Sequence, residues 1–139
     1  MNPLLRVLLG SGKLPDELRA ALVAEQPVLL EEGLTGSVTY RRYRAPGEWA
    51  SYEKKSVVGA VVVTPRRVVV WAGRFKHVDV PLNHQLLASI EVKAETPDRV
   101  SFAYDAGRTN PAKSGQVEVR LRTPQARRIA ELLMTDRIG

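Results

Sequence analysis

The chain has 139 residues, 44% hydrophobic and 26% charged, proportions that exclude a disordered polymer and fit one folded domain with a proper core. Lys and Arg outnumber Asp and Glu by 21 to 15, a net charge of +6, and cysteine is absent, which excludes disulfides and thiolate metal sites. No stretch approaches the roughly 18 apolar residues of a membrane-spanning helix. The composition predicts a cytoplasmic protein, and the positive excess adds a peripheral place at the inner face of a membrane as an extension of that expectation.

Residues 1–12 read as an arm. Leu4-Leu5-Arg6-Val7-Leu8-Leu9 is apolar, but it is short, is interrupted by Arg6 and lacks a basic segment before it, so it is not read as a signal peptide. Leu14 to Glu25 predicts a short helix. Pro15 suits its first turn, Asp16 and Glu17 complement the helix dipole, and Leu18, Ala21, Leu22 and Glu25 fall on one face. Pro27 ends it.

From Val28 to Thr123 the pattern is that of strands. Val28-Leu29-Leu30 leads in, Gly33 and Gly36 suggest a bulge, and Ser37 to Arg44 is rich in β-formers. Ala45-Pro46-Gly47 is a turn. Trp49 to Lys55 opens the next strand, which merges into Ser56 to Val63. Pro65 is incompatible with a primed two-residue turn, so Thr64 to Arg67 predicts a longer loop built on a type I turn before Val68-Val69-Val70.

His77 to Leu82 alternates with Val78, Val80 and Leu82 inward, and Pro81 assigns it to an edge or a strand end. Ser89 to Ala94 and Arg99 to Tyr104 alternate across a hairpin loop at Glu95 to Asp98. Asp105 to Ser114 predicts a loop. In Gly115 to Arg122 the inward residues are Val117, Val119 and Leu121. Thr123 as N-cap and Pro124 as N1 then open a helix striped by Ala126, Ile129, Ala130, Leu132 and Leu133.

The order is helix, about seven strands, helix, joined by short connections. It predicts a mainly β (α+β) fold: a seven-stranded antiparallel barrel or two orthogonal sheets, with a C-terminal capping helix and a short N-terminal helix. Residues 1–26 form the arm and helix, and residues 27–139 the barrel with its C-terminal helix, as one compact unit. There is no internal repeat.

Three short segments resemble the bacterial pleckstrin-homology-like (PH-like) domains, a group close to the GRAM domains. They are Val63-Thr64-Pro65-Arg66-Arg67-Val68, similar to the family's "Leu-Thr-x-x-Arg-hydrophobic" signature, Val80-Pro81-Leu82 followed by Leu87 to Val92, and Val117 to Ala126. The likeness covers roughly Pro27 to Leu133. It implies a seven-stranded barrel capped by a helix, generally non-enzymatic and used to bind lipids, peptides or proteins.

Motifs of catalysis are weak. Gly10-Ser11-Gly12-Lys13 fails the phosphate-loop pattern, because Val7 stands where a glycine is required and Leu14 where Ser or Thr is required. His77 and His84 flank one strand with no evident third ligand. No nucleophile elbow surrounds any serine. The expectation is therefore no enzyme, no catalytic residue, no metal and no cofactor.

Two surfaces carry the functional expectation. Arg41, Arg42 and Arg44 precede the Pro-Gly turn and Lys54 and Lys55 follow it, so pairing of the two strands is expected to gather their charges at one mouth of the barrel and grip an anion. Tyr40, Tyr43, Trp49 and Tyr52 are interleaved with them, as for base stacking, although Glu48 and Glu53 dilute the patch. Val58, Ala60 and Val62 make the second face of a hairpin whose other face, Val57, Val61 and Val63, is equally apolar. The N-terminal arm or a second subunit is expected to cover it.

The sequence thus predicts a non-catalytic binding module. Protein–protein interaction or self-association through Val58, Ala60 and Val62 comes first, and peripheral binding of anionic lipid headgroups through Arg41, Arg42, Arg44, Lys54 and Lys55 second. Nucleic-acid binding is third and disfavoured.

Overall fold

The computed structural model describes residues 12–82, 85–108 and 110–138. The apolar arm at Leu4 to Leu9 and His84 lie outside the described residues. Valine-rich alternation produces a sheet, because a β-branched side chain fits a pleated surface better than a helix. Strands β1 (Leu29–Ala45), β2 (Glu48–Val63), β3 (Arg67–Ala72) and β4 (Phe75–Pro81) follow helix α1 (Asp16–Ala24). After a one-turn helix α2 (Gln85–Ala88) come β5 (Glu91–Thr96), β6 (Arg99–Asp105), a 3-10 turn (Ala106–Arg108), β7 (Ser114–Arg122) and helix α3 (Ala126–Ile138).

All seven strands belong to one antiparallel sheet in the order β4-β3-β2-β1-β7-β6-β5, curled into a half-barrel. The mainly β fold with a C-terminal and a short N-terminal helix is as expected. Pro81 stands on β4, which is an edge strand. The inner face holds the main core, in which Val61, Val70, Val100, Phe102, Val119 and Leu121 meet Ile129 and Leu133 of α3. Thr123, fully buried, accepts the N–H of Gln125 on its hydroxyl at 3.1 Å and so starts α3.

Two local departures have simple causes. Pro15 stands at the N-cap (φ −55°, ψ 143°), one step ahead of the first turn, so α1 begins at Asp16. A helical turn at Gln85–Ala88, absent from the strand reading, carries Leu87 into the main core.

Turn chemistry sets the registers. The β1–β2 connection is Pro46-Gly47, with Gly47 at φ 76°, the backbone that a proline followed by glycine favours in a type II turn. Between β2 and β3 the loop is Thr64 to Arg66. The Thr64 hydroxyl accepts the N–H groups of Arg66 and Arg67 at 3.1 and 3.0 Å and donates to Glu25 at 2.9 Å.

The second apolar face of the β2–β3 hairpin is covered from within the chain. Ala60, Val62 and Val69 are buried under Leu14 and Leu22, with Leu18, Leu30 and Trp71 packed around them. Leu14, Leu18 and Leu22 repeat at four-residue steps, which keeps them on one side of α1. Ala21 is exposed instead of facing the sheet, and Glu25 has an electrostatic task.

Charges hold both ends of this helix. At its start Glu32 accepts the Leu14 N–H at 2.9 Å and Arg19 Nε at 3.0 Å. At its end the Glu25 carboxylate accepts Arg67 Nη2 at 2.8 Å and Nε at 3.1 Å, while Arg67 Nη1 donates to Asp79 at 3.0 Å. Burial pushes the Glu25 carboxyl up, but the hydrogen bonds from Arg67 and Thr64 outweigh it and hold it below the usual carboxylate range.

Leu22 is the fully buried anchor of this second core. Leu22→Ala is expected to cost about 2–5 kcal/mol, the range for a buried leucine truncated to alanine, read from the midpoint of urea unfolding.

Candidate functional site

The basic residues flank a long hairpin arm. β1 and β2 pair along their whole length, with Arg44 opposite Trp49, Arg41 opposite Tyr52, Thr39 opposite Lys54 and Val38 opposite Lys55. Pairing alone does not gather the charges, because consecutive strand residues point to opposite faces. Val38 belongs to the inner core, so its partner Lys55 is on the inner face of the sheet, exposed, with Nζ 5.7 Å from the centroid of Tyr40 and 3.5 Å from Glu53.

Lys54 is on the outer face with Thr39. Arg41 is there too, 5.9 Å over the Tyr52 ring and 3.8 Å from Glu118. Arg42 and Arg44 are exposed toward the tip of the arm. The expected convergence of Arg41, Arg42, Arg44, Lys54 and Lys55 on one mouth is thus divided between two faces of the sheet.

A bulge shapes the inner side of the arm. The β1–β7 register shifts between Arg41 and Arg44, and Arg42 takes φ 52°. The extra residue lets Tyr40 and Tyr43 both pack against the inner core, ring centroids 5.0 Å apart and edge-on. Gly115, opposite the bulge at φ 101°, is required there, since a Cβ would lie 2.4 Å from the Arg42 carbonyl oxygen.

Further polar groups complete the interior at this end. Tyr104 of β6 has its hydroxyl 2.8 Å from Nδ1 of His77 on β4. Arg108, in the 3-10 turn after β6, lays its guanidinium 5.1 Å over the Tyr104 ring. Arg108 Nε and Nη1 are shut off from solvent and meet no hydrogen-bond acceptor among the described residues. Donors in that condition are rare in folded proteins.

Burial depresses the His77 imidazole to about 4. A backbone hydrogen bond at Ala72 opposes the shift and the charge of Lys113 adds to it. Burial raises the Tyr104 phenol, and it pulls the Arg108 guanidinium below its ordinary value. At neutral pH the imidazole and the phenol are uncharged, and Arg108 is the charged member of the group.

Arg108 was invisible in the sequence, because it stands in a polar loop with no periodicity to give it a direction. His77 was visible as a histidine, but its partner is a tyrosine on β6 and not a metal ligand.

The apolar residues Val58, Ala60 and Val62 are all buried. α1 and Leu14 cover Ala60 and Val62, and Gly12 lies against Val58 so closely that a Cβ there would be 2.3 Å from its side chain. The cover is the helix that follows the expected arm. The large apolar side chains left in solvent among the described residues are elsewhere: the aromatic ones are Trp49 at 76% exposure, Tyr52 at 61% and Phe75 at 68%, and Val23 and Val28 are exposed too. β3 pairs with β2 only from Gly59 onward, so Glu48 to Ser56 have β1 on one side and no strand on the other. Among the described residues, no helix is long and apolar enough to cross a membrane.

The His77 shift has a calculable consequence. The unfolded imidazole titrates near 6.5 and the folded one at about 4, so below pH 6.5 the unfolded chain takes up a proton that the folded chain refuses. Stability falls as pH drops through that window, by roughly 2 kcal/mol between pH 7 and pH 4.5 from this group. His77→Gln should flatten the decline by that amount in urea unfolding at the two pH values.

Compared with family models, with curated proteins and with solved structures, the chain gives no match.

Proposed function

We propose that the chain is a non-catalytic binding module of the PH-like kind that docks on an anionic membrane surface and takes a lipid phosphate at the mouth of its half-barrel. The observation that carries this is Arg108. Two of its guanidinium nitrogens, Nε and Nη1, are buried without an acceptor among the described residues, in a group with Tyr104 and His77, an arrangement that a phosphate oxygen completes with a charge-assisted hydrogen bond.

Around that point the residues suit a headgroup layer. Trp49, near the tip of the arm, is the most exposed large side chain, and indole rings concentrate where apolar chains meet headgroups. Arg42 and Arg44 stand exposed beside it, and each basic residue near an anionic surface contributes about 1 kcal/mol of attraction. The resemblance to PH-like domains fits a sheet of seven strands with a helix against its inner face. Self-association through Val58, Ala60 and Val62 is the weaker reading, since α1 and Leu14 lie over Ala60 and Val62 and Gly12 lies against Val58.

The test is co-sedimentation with phosphatidylserine-containing and with phosphatidylcholine-only vesicles. Retention is expected on the anionic vesicles alone, weakening several-fold between about 50 and about 200 mM salt, as surface charge attraction is screened. Trp49 emission should shift to the blue on binding. Arg108→Gln and Trp49→Ala should each reduce retention at least fivefold, with the fold intact by circular dichroism. Equal retention on both vesicles, or none at low salt, removes the proposal. Retention on neither vesicle together with capture of single-stranded oligonucleotides would move the function to nucleic acid.

A further inference from the structure

The outer face of the sheet carries a second basic site, separate from the mouth. A groove of about 330 Å³ runs across β2, β1, β7 and β6 and is lined by Lys54, Arg99, Arg120 and Arg122 together with the hydroxyls of Ser37 and Ser56. Register explains the grouping. Ser37 stands opposite Ser56 on one side and Arg120 on the other, and Arg99 stands directly opposite Arg122. Gly36 lets β1 and β7 approach closely here: a Cβ on it would lie 1.8 Å from the Arg120 carbonyl oxygen.

The cations of this groove are unevenly neutralised. Arg120 is saturated, with Nε 2.8 Å from Glu95 and a further ion pair to Glu118. No ion pair holds Lys54, Arg99 or Arg122 among the described residues. Glu95 and Glu118 are engaged by Arg120, and Asp98 adjoins Arg99 in the chain. The Asp98 carboxylate takes the Thr96 hydroxyl at 2.7 Å and feels Arg122 and Arg99 only through space. Like charges directly opposite on neighbouring strands repel, so the Arg99–Arg122 pair weakens the sheet as long as nothing lies between them.

We propose that this outer groove is a phosphoryl-binding site. A phosphoryl group presents several oxygens and a double negative charge near neutrality. It can therefore bridge the Arg99 and Arg122 guanidinium groups and accept from Lys54, with Ser37 and Ser56 hydroxyls at hand for the remaining lone pairs. A carboxylate has too few oxygens to engage these groups together. The site does not depend on the mouth: it uses other residues, on the opposite face of the sheet.

Inorganic phosphate is the first probe, titrated against sodium chloride of equal ionic strength while the melting temperature is followed. Adenosine monophosphate and vesicles containing phosphatidic acid are the second and third. Phosphate is expected to stabilise the protein saturably beyond the chloride control. Measured in an Arg108→Gln background, which takes the mouth out of the reading, the double variant Arg99→Gln/Arg122→Gln should weaken phosphate binding at least tenfold.

Without ligand the double variant should melt close to the parent, since it loses the Arg99–Arg122 repulsion along with their through-space attraction to Asp98; this separates loss of a site from loss of the fold. Whichever probe binds most tightly and is lost in the double variant names the source of the phosphoryl group. Overturning results are stabilisation no greater than chloride gives with all three probes, or binding that survives in the double variant. Binding lost in Arg108→Gln but kept in the double variant would assign the phosphate to the mouth and also overturn the proposal.

Discussion

The structure depends on a hairpin that is apolar on both faces. A strand buried on both faces has no wet side, and two layers must be found for it. The odd-numbered valines of β2, with Val68 and Val70 of β3, are supplied by the main core, and Ala60, Val62 and Val69 are supplied by α1. The second layer is small, a single helix of 9 residues, and apolar contact alone holds such a short helix weakly. Its ends are therefore fixed by charge, with Glu32 at the start and Glu25 on Arg67 at the finish. Arg67 is itself a β3 residue that also binds Asp79 of β4, so one guanidinium joins the helix, the hairpin and the edge strand.

The two candidate sites follow from the same sheet through its period of two. Inward residues of β1 and β6 build the tyrosine-lined mouth, and outward residues of β1, β2, β6 and β7 build the outer groove. Lys54 and Lys55 are adjacent in the chain and serve opposite faces. The bulge at Arg42 is the exception that breaks the alternation, and it brings Tyr43 inward beside Tyr40. A sheet wall one strand thick can in this way carry two chemically independent basic surfaces.

Much of this was legible in the chain. Alternation identified Val117, Val119 and Leu121 as inward, Pro81 marked an edge, and Thr123-Pro124 marked the start of a helix, because each signal is local and is carried by the residue itself. The expectation that gathered Lys54 and Lys55 at one mouth overlooked the strand period, which sends adjacent residues to opposite faces, opposite Thr39 and Val38. Other features were not legible. Arg108 gains its meaning only when the turn after β6 folds it over Tyr104, and His77 only when β4 and β6 place an imidazole beside a phenol. The groove needs Arg99 and Arg122, more than twenty positions apart, to become direct neighbours, and no local pattern announces that.

The strand order carries a consequence for how the molecule assembles. Every neighbouring pair in the sheet joins strands consecutive in the chain, except β1 with β7. The meander β1 to β4 and the hairpins β5 to β7 can zip from their turns, whereas Val38 meets Val119 only after most of the chain between them has been looped back. Until that closure β1 is a bare edge, a template open to any other unfolded chain. Arg41, Arg42 and Arg44 then stand along that edge as mutual repellents, so the same arginines guard the nascent chain against aggregation before β7 arrives to pair with them.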